Sequence, residues 1–289
     1  MERVFDTKIL PKESFPPLLS EINDPPKELY FRGTIPRFEN YKILTIVGSR
    51  RLTEYGKRVC EKFIPELKGY PIIIVSGMAL GVDSLVHELA LKNKIITIAI
   101  PGSGLNDNVL YPKSNFRLAK KILENEGLLL SEYKPDFNAT QWSFPRRNRI
   151  MAGISHATLV IEASEKSGTL ITSKLATEYN RDVFTVPGSI FDTARAGPHM
   201  LLKLGAKLIE NTKDILDGLG LESDETHSEH DYSDLSENEI LVMEHLEEPI
   251  SREELSAATH LMQNDLGMSL SLLELRGFIK ESLGKIYKI

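Results

Sequence analysis

The chain has 289 residues, of which 41 % are hydrophobic and 26 % charged, enough for one large core and a small second one. Its opening, Met1-Glu2-Arg3 followed by Pro11, Pro16, Pro17, Pro25 and Pro26, lacks an apolar signal core, and nowhere do about 18 apolar residues run together, so a cytoplasmic protein without a membrane span is expected. One cysteine, Cys60, excludes an intramolecular disulfide or a cysteine zinc cluster and reads as a core filler.

The net charge of −6 argues against a nucleic-acid partner until its location is considered. Eight acids and no Lys or Arg fall between Leu221 and Ile240, and the remainder carries 35 basic residues against 33 acids. Residues 221–234 therefore read as a solvated acidic linker between two domains.

In chain order, residues 1–40 form a proline-rich cap, an irregular stretch or short helices around Pro16-Pro17-Leu18-Leu19 and Leu29-Tyr30-Phe31. Residues 41–220 alternate apolar runs with helical patterns: Ile43 to Val47, Ile72 to Val75, Ile95 to Ile100, Leu128 to Leu130, Thr158 to Ile161 and Val183 to Val186. Nearly continuous apolar runs imply strands buried on both faces, and the helices between them imply parallel crossovers. The expected fold is an α/β, extended Rossmann-like, doubly wound and mostly parallel sheet. Residues 235–289 show three amphipathic helices, Asn238 to Leu246, Ser251 to Thr259 and Asn264 to Leu275, then a two-stranded wing, which together suggest a small C-terminal winged-helix domain. Its third helix lacks the basic face that duplex phosphates demand, so contact with protein is the expected use.

Several strands end directly in small residues: Gly48-Ser49, Ser76-Gly77, Gly102-Ser103-Gly104 and Gly188-Ser189. Carboxyl ends of parallel strands line the ligand crevice, and small residues there let backbone amides approach a phosphate. Phe144-Pro145-Arg146-Arg147-Asn148-Arg149 places three guanidiniums at a helix start ahead of a buried apolar run. Arginine forks suit phosphate oxygens, although any of the three could instead pair with a buried carboxylate such as Glu162. Ser167-Gly168-Thr169-Leu170-Ile171-Thr172-Ser173, ahead of a helix running to about Tyr179, offers hydroxyls and amides for an anion nest, although helix capping alone would explain Ser167 or Thr169.

A kinase-type phosphate loop is absent. Gly102-Ser103-Gly104-Leu105-Asn106-Asp107 has Asp where a dinucleotide fingerprint needs its third Gly, and the following Tyr111-Pro112 suggests a loop. Asp83 and His87, one helical turn apart, lack a third metal ligand and read as a helix-start acid with a neighbouring histidine. No catalytic residues, metal or cofactor are assigned.

Gly48-Ser49-Arg50-Arg51, Ser76 to Asp83 with His87, Pro101-Gly102-Ser103-Gly104 with Tyr111-Pro112, Ser131-Glu132-Tyr133, Phe144 to Arg149, Ser167 to Thr172 and Val186 to Ser189 together resemble the DNA-processing protein A family, also called Smf. The likeness runs in order from about Phe15 to Leu219, and the tail is similar to that family's C-terminal module. It implies an extended Rossmann fold, single-stranded DNA binding, dimerisation, and loading of the RecA recombinase during natural transformation. Two departures stand out: about 40 residues before the first strand leave no room for the family's small N-terminal helical domain, and Gly197-Pro198-His199 replaces a Gly-Thr-Asn type loop.

The expectation is thus a homodimeric, non-enzymatic protein that binds single-stranded DNA and passes it to RecA. Its expected phosphate and DNA contacts are Gly48, Ser49, Arg50, Arg51, Gly77, Gly102, Gly104, Phe144, Arg147, Asn148, Arg149, Ser167, Gly168 and Thr169; Phe144, Trp142 and Tyr111 are either rings on which bases stack or core residues. The alternative is a nucleotide-processing enzyme of the cytokinin-activating phosphoribohydrolase type, which Ser167-Gly168-Thr169 faintly resembles but whose preceding Pro-Gly-Gly is missing.

Overall fold

The β-branched runs become the central strands of a nine-stranded sheet. The computed structural model describes residues 5–164, 167–222, 235–246, 249–276, 278–282 and 284–288. Residues 1–3 of the opening and residues 223–234 of the acidic linker lie outside the described residues.

Elements follow in the order β1 (Lys8–Leu10), β2 (Leu29–Gly33), β3 (Lys42–Val47), α1 (Glu54–Glu66), β4 (Ile72–Ser76), α2 (Val82–Lys92), β5 (Thr97–Ala99) and α3 (Phe116–Glu124). Then come β6 (Leu128–Ser131), α4 (Ser143–Ile154), β7 (Ala157–Val160), α5 (Thr169–Glu178), β8 (Asp182–Thr185), α6 (Ala196–Lys203), β9 (Lys207–Leu208) and α7 (Thr212–Leu219). The sheet order is β1-β2-β6-β5-β4-β3-β7-β8-β9, parallel from β6 through β9. From β3 the chain winds outward through β4, β5 and β6, then α4 carries it back across the sheet to β7. The β3/β7 pair is therefore the topological switch point, where loops diverge above the carboxyl ends and leave a crevice.

Two apolar layers cover the faces. Cys60, Phe63, Ile64 and Val86 pack with Leu44, Ile46 and Ile74 on one side, while Leu19, Ile22, Ile150, Met151 and Ile154 pack with Ile43, Val47, Ile73 and Val75 on the other. Burial pushes the Cys60 thiol up to about 12, so it stays a neutral apolar filler.

The N-terminal segment departs from the expected irregular cap. Leu29–Gly33 is a strand, antiparallel to β6 through Tyr30–Ser131, Phe31–Leu130, Arg32–Leu129 and Gly33–Leu128, and Lys8–Leu10 pairs with it in turn. The prolines lie between the strands, where Pro17 opens a short 3-10 turn whose Leu19 is buried beneath α4. Proline punctuation hid an edge strand of three residues and its five-residue neighbour.

The chain divides into two units, residues 1–223 and 224–289. The second contains α8 (Glu237–Glu244), β10 (Ile250–Ser251), α9 (Arg252–Thr259), α10 (Gln263–Leu275), β11 (Ile279–Ser282) and β12 (Lys285–Lys288). Capping boxes at Ser236/Glu239 and Ser251/Glu254 start α8 and α9, and Val242, Leu255, Leu270, Leu273 and Ile286 form a separate core. The expected hairpin gains a third strand, β10, which pairs with β12. No helix among the described residues is long and apolar enough to cross a membrane.

Candidate nucleic-acid interface

Above the switch point lies a cavity of about 430 Å³ whose walls come from the β3–α1 loop, the starts of α4 and α5, and Ala79 and Asp83 near the start of α2. Gly48, Ser49, Arg50, Arg51, Phe144, Arg147, Asn148, Ser167, Gly168 and Thr169 all line it. The structure thus brings together ten of the fourteen residues expected from sequence.

The charge at the rim comes from Arg50 and Arg51, both exposed, with no carboxylate in ion-pairing range among the described residues. The Arg50 guanidinium stands 5.1 Å over the Phe144 ring. Phe144 in turn lies 5.6 Å from the Tyr111 ring, tilted by 52°, and Tyr111 is half exposed. A cation resting on an aromatic face keeps a planar, positively charged platform open to solvent, suited to a base and its phosphate. Glycine makes the platform possible at two places. A Cβ on Gly102 would meet the Phe144 ring at 2.6 Å, and one on Gly77 would meet the Arg147 guanidinium at 2.5 Å.

Arg147 plays a different part from the one expected. Its side chain is buried and donates from Nη1 to the carbonyls of Gly77, at 2.6 Å, and Ile100, and from Nε to Asn148 Oδ1 at 3.1 Å. The two carbonyls cap β4 and β5, so this guanidinium ties together the strand ends that floor the crevice. Burial lowers its pKa to about 10, opposed by the nearby Asp83 carboxylate. Asp83 is itself raised by burial, against the pull of Arg147 and the Ala79 N–H. Arg147 therefore reaches the cavity as a wall and a source of positive potential, with most of its donors already used.

Arg149 stands apart from the other expected contacts. It does not line the crevice but points to the opposite side of α4, where its Nη2 bonds Glu132 and its Nε lies 3.4 Å from Asp24. The alternative reading, pairing with a buried carboxylate, applies here, though the partner is Glu132. Glu162 is taken by Arg195 at 3.2 Å and by the Thr53 hydroxyl at 2.6 Å. Gly104 is also displaced: its Cβ position faces the carbonyls of Lys134 and Pro135 at 2.3 Å, so it is a packing glycine.

The hydroxyls are committed locally. Thr169 donates to the Gly48 carbonyl at 3.0 Å, Ser167 donates to Thr169 Oγ1 at 3.0 Å while accepting from its N–H, and Ser49 donates to the Arg51 carbonyl at 2.9 Å. They shape the loops against one another, and Asn148 Nδ2 reaches Gly168 O at 3.4 Å to join α4 to that loop. Trp142 is half exposed but packs against Tyr133 and Phe137 instead of the Arg50–Phe144 platform. His87 is buried, bonded to the Thr97 hydroxyl at 2.7 Å, and pushed down to about 3 by burial. No cluster of three His, Cys, Asp or Glu suited to a metal occurs among the described residues.

Gln141 and Met151, not expected from sequence, also line the cavity, as do Ile171 and Thr172 of the expected nest, which were not counted among its contacts. Met151 and Thr172 follow Arg147–Asn148 and Gly168–Thr169 at helical spacing, a signal that could have identified them.

Residues 7–220 match the family model described as DNA recombination-mediator protein A. Protein Smf of Escherichia coli K12 is 39 % identical over 207 residues, and DNA processing protein DprA of Streptococcus pneumoniae 42 % identical over 204. These alignments cover 72 % and 71 % of this chain, and 54 % and 71 % of those proteins; the chain thus spans about half the length of the E. coli relative. Among solved structures, DNA processing protein A of S. pneumoniae superposes with a TM-score of 0.68 at 40 % identity, covering 75 % of both chains. The Helicobacter pylori protein of that name, described for its single-stranded DNA binding mode, gives a TM-score of 0.67 at 32 % identity, covering 76 % of this chain and 98 % of that one.

Proposed function

Because the chain belongs to the DNA recombination-mediator protein A family, we propose that it binds single-stranded DNA in the β3/β7 crevice, protects incoming strands and loads the RecA recombinase onto them during natural transformation. It acts as a binding protein, a cytoplasmic homodimer, and not as an enzyme that processes nucleotides. The observation that carries this reading is the Arg50–Phe144 platform at the rim of the 430 Å³ crevice. An exposed guanidinium over an aromatic face offers one group to a phosphate and the other to an unstacked base, and only a single strand presents both in a narrow crevice. The H. pylori relative named for single-stranded DNA binding supports the same assignment.

The second unit is proposed to be a winged helix used for protein contact. Its α10 starts with Gln263, Asn264 and Asp265 and carries no lysine or arginine, and Arg276, just past its end, lies 3.6 Å from Glu239. Phosphate binding needs the opposite balance.

Fluorescence anisotropy with a labelled mixed-sequence oligonucleotide, competed by unlabelled single strand or duplex, tests the proposal. Single strand should compete at least tenfold better than duplex. Equal competition would refute it.

A further inference from the structure

A second cavity, of about 680 Å³, adjoins the other side of α4. Phe144, Arg147, Asn148 and Met151 occupy one face of that helix and line the crevice, whereas Arg146 and Arg149 project from the opposite face into the second cavity. Lys12, Lys27, Asp24, Glu28 and Glu132 complete its polar lining. Topology sets both cavities at one end of the sheet. Since β1 is antiparallel to β2 and β2 antiparallel to β6, Lys12 after β1 and Glu132 after β6 lie at the same carboxyl end as Gly48 and Gly77.

The floor of this cavity holds a buried pair with unused capacity. Arg149 and Glu132 have side chains only 7 % exposed, and they bond through Nη2 and Oε2. Arg149 Nη1 and Glu132 Oε1 are left without hydrogen-bond partners. An unmet donor and an unmet acceptor on a buried pair are costly, and structures keep such groups where something else completes them. Inorganic phosphate does not fit, because its negative charge would face the Glu132 carboxylate. The edge of an unpaired nucleobase does fit, since it presents an acceptor and a donor side by side. At the rim, Lys12 and Lys27 are exposed and have no ion-pair partner among the described residues, and Arg146 is half exposed, 3.4 Å from Glu132. These three cations suit the phosphates on either side of such a base.

We propose that a DNA strand leaving the crevice turns around the start of α4 and continues into this second cavity, with phosphates on Lys12, Lys27 and Arg146 and one base edge on the Arg149–Glu132 pair. The inference rests on the crevice binding single strands. It makes α4 a post between two nucleotide subsites and gives Arg149 a role on the strand's onward path.

The test compares full-length protein with its Lys12→Ala/Lys27→Ala variant on oligonucleotides of about six and about sixteen nucleotides, within the range that single-strand sites span. Neither lysine lines the crevice, and equal thermal unfolding of the two proteins establishes that the fold is intact. The variant should lose roughly tenfold in affinity for the long strand, and its log–log salt slope should flatten by about 1.4, the share of two phosphate contacts at about 0.7 each. Affinity for the short strand should change less than about twofold. Equal losses at both lengths, or an unchanged long-strand affinity and slope, would overturn the second subsite while leaving the crevice reading intact. Wild-type protein that binds neither length would overturn both.

Discussion

Replacing Arg147 by methionine, which keeps the length of the side chain and removes its charge, should unfold the first unit before it alters binding chemistry. The guanidinium satisfies the carbonyls of Gly77 and Ile100 and the amide oxygen of Asn148, and it balances the buried Asp83. Each buried acceptor left without a donor costs about 1–3 kcal/mol, and breaking a buried charge pair about 3–5 kcal/mol. These terms overlap, because Asp83 can take up a proton and Asn148 can turn, so a net loss of about 3–5 kcal/mol is expected. For a unit of this size that corresponds to a fall of about 10 °C in the unfolding midpoint. The loss should be smaller when Asp83 is also replaced by asparagine, since the carboxylate that required balancing is gone. Urea titration of the two variants, monitored by near-ultraviolet circular dichroism, measures both quantities. A loss below about 1 kcal/mol, with oligonucleotide binding abolished in the folded protein, would refute the structural role and return Arg147 to the list of direct phosphate contacts.

Arg50→Ala should show the reverse pattern, weakening single-strand affinity by about 1–3 kcal/mol with no shift in unfolding, because the side chain is exposed and leans only on Phe144; a stability loss without an affinity loss would contradict this. Phe144→Ala should cost about 1–3 kcal/mol of affinity through lost base stacking, measured by anisotropy, and an unchanged affinity would remove the platform from the account. Burial holds the His87 pKa near 3, far below its unfolded value of about 6.5, so between these limits the unfolded chain binds the extra proton. Stability from His87 is thus full above about pH 6.5 and falls by up to about 1.4 kcal/mol per pH unit below it, partly offset by Asp83, whose raised pKa acts in the opposite sense. In urea titrations from pH 7 to 5, His87→Gln should lose less stability than wild type, and parallel curves would show that His87 does not titrate as argued. Ending the chain after Glu222 should leave oligonucleotide affinity within about threefold, because that unit has its own core and the removed one lacks a basic helix face; a tenfold loss in folded protein would show that the C-terminal unit reads DNA.

The strands that were legible in the sequence are those buried on both faces, because burial forces uninterrupted runs such as Ile72-Ile73-Ile74-Val75. Their glycine-terminated ends marked the crevice for the same reason: side chains at Gly77 and Gly102 would collide with Arg147 and Phe144. The edge strands β1 and β9, and β2 beside β1, were not legible, being two to five residues long and either open to solvent or set among prolines. The arginines of α4 show a different limit. Their crowding announced a charged helix start, but Arg147 and Arg149 lie on different faces of one helix, and which carboxylate or carbonyl each meets is decided by Asp83 and Glu132, some 64 and 17 residues away in sequence. Both arginines were expected in one site, and the structure divides them between two cavities on different faces of α4. Hydroxyls at Ser49, Ser167 and Thr169 were read as phosphate donors because their loop chemistry is the same whether they bind an anion or fasten one loop to the next, and here they fasten.

In the proposed function DNA enters at the Arg50–Phe144 platform. Photo-crosslinking of a 5-iodouracil oligonucleotide to the full chain, with the attached peptide identified by mass spectrometry, tests it most directly. Cross-links are expected at Phe144 and Tyr111, whose rings lie 5.6 Å apart at the crevice rim, and should be lost when Arg50 is replaced by alanine. Cross-links confined to the C-terminal unit, or unaffected by Arg50→Ala, would contradict it.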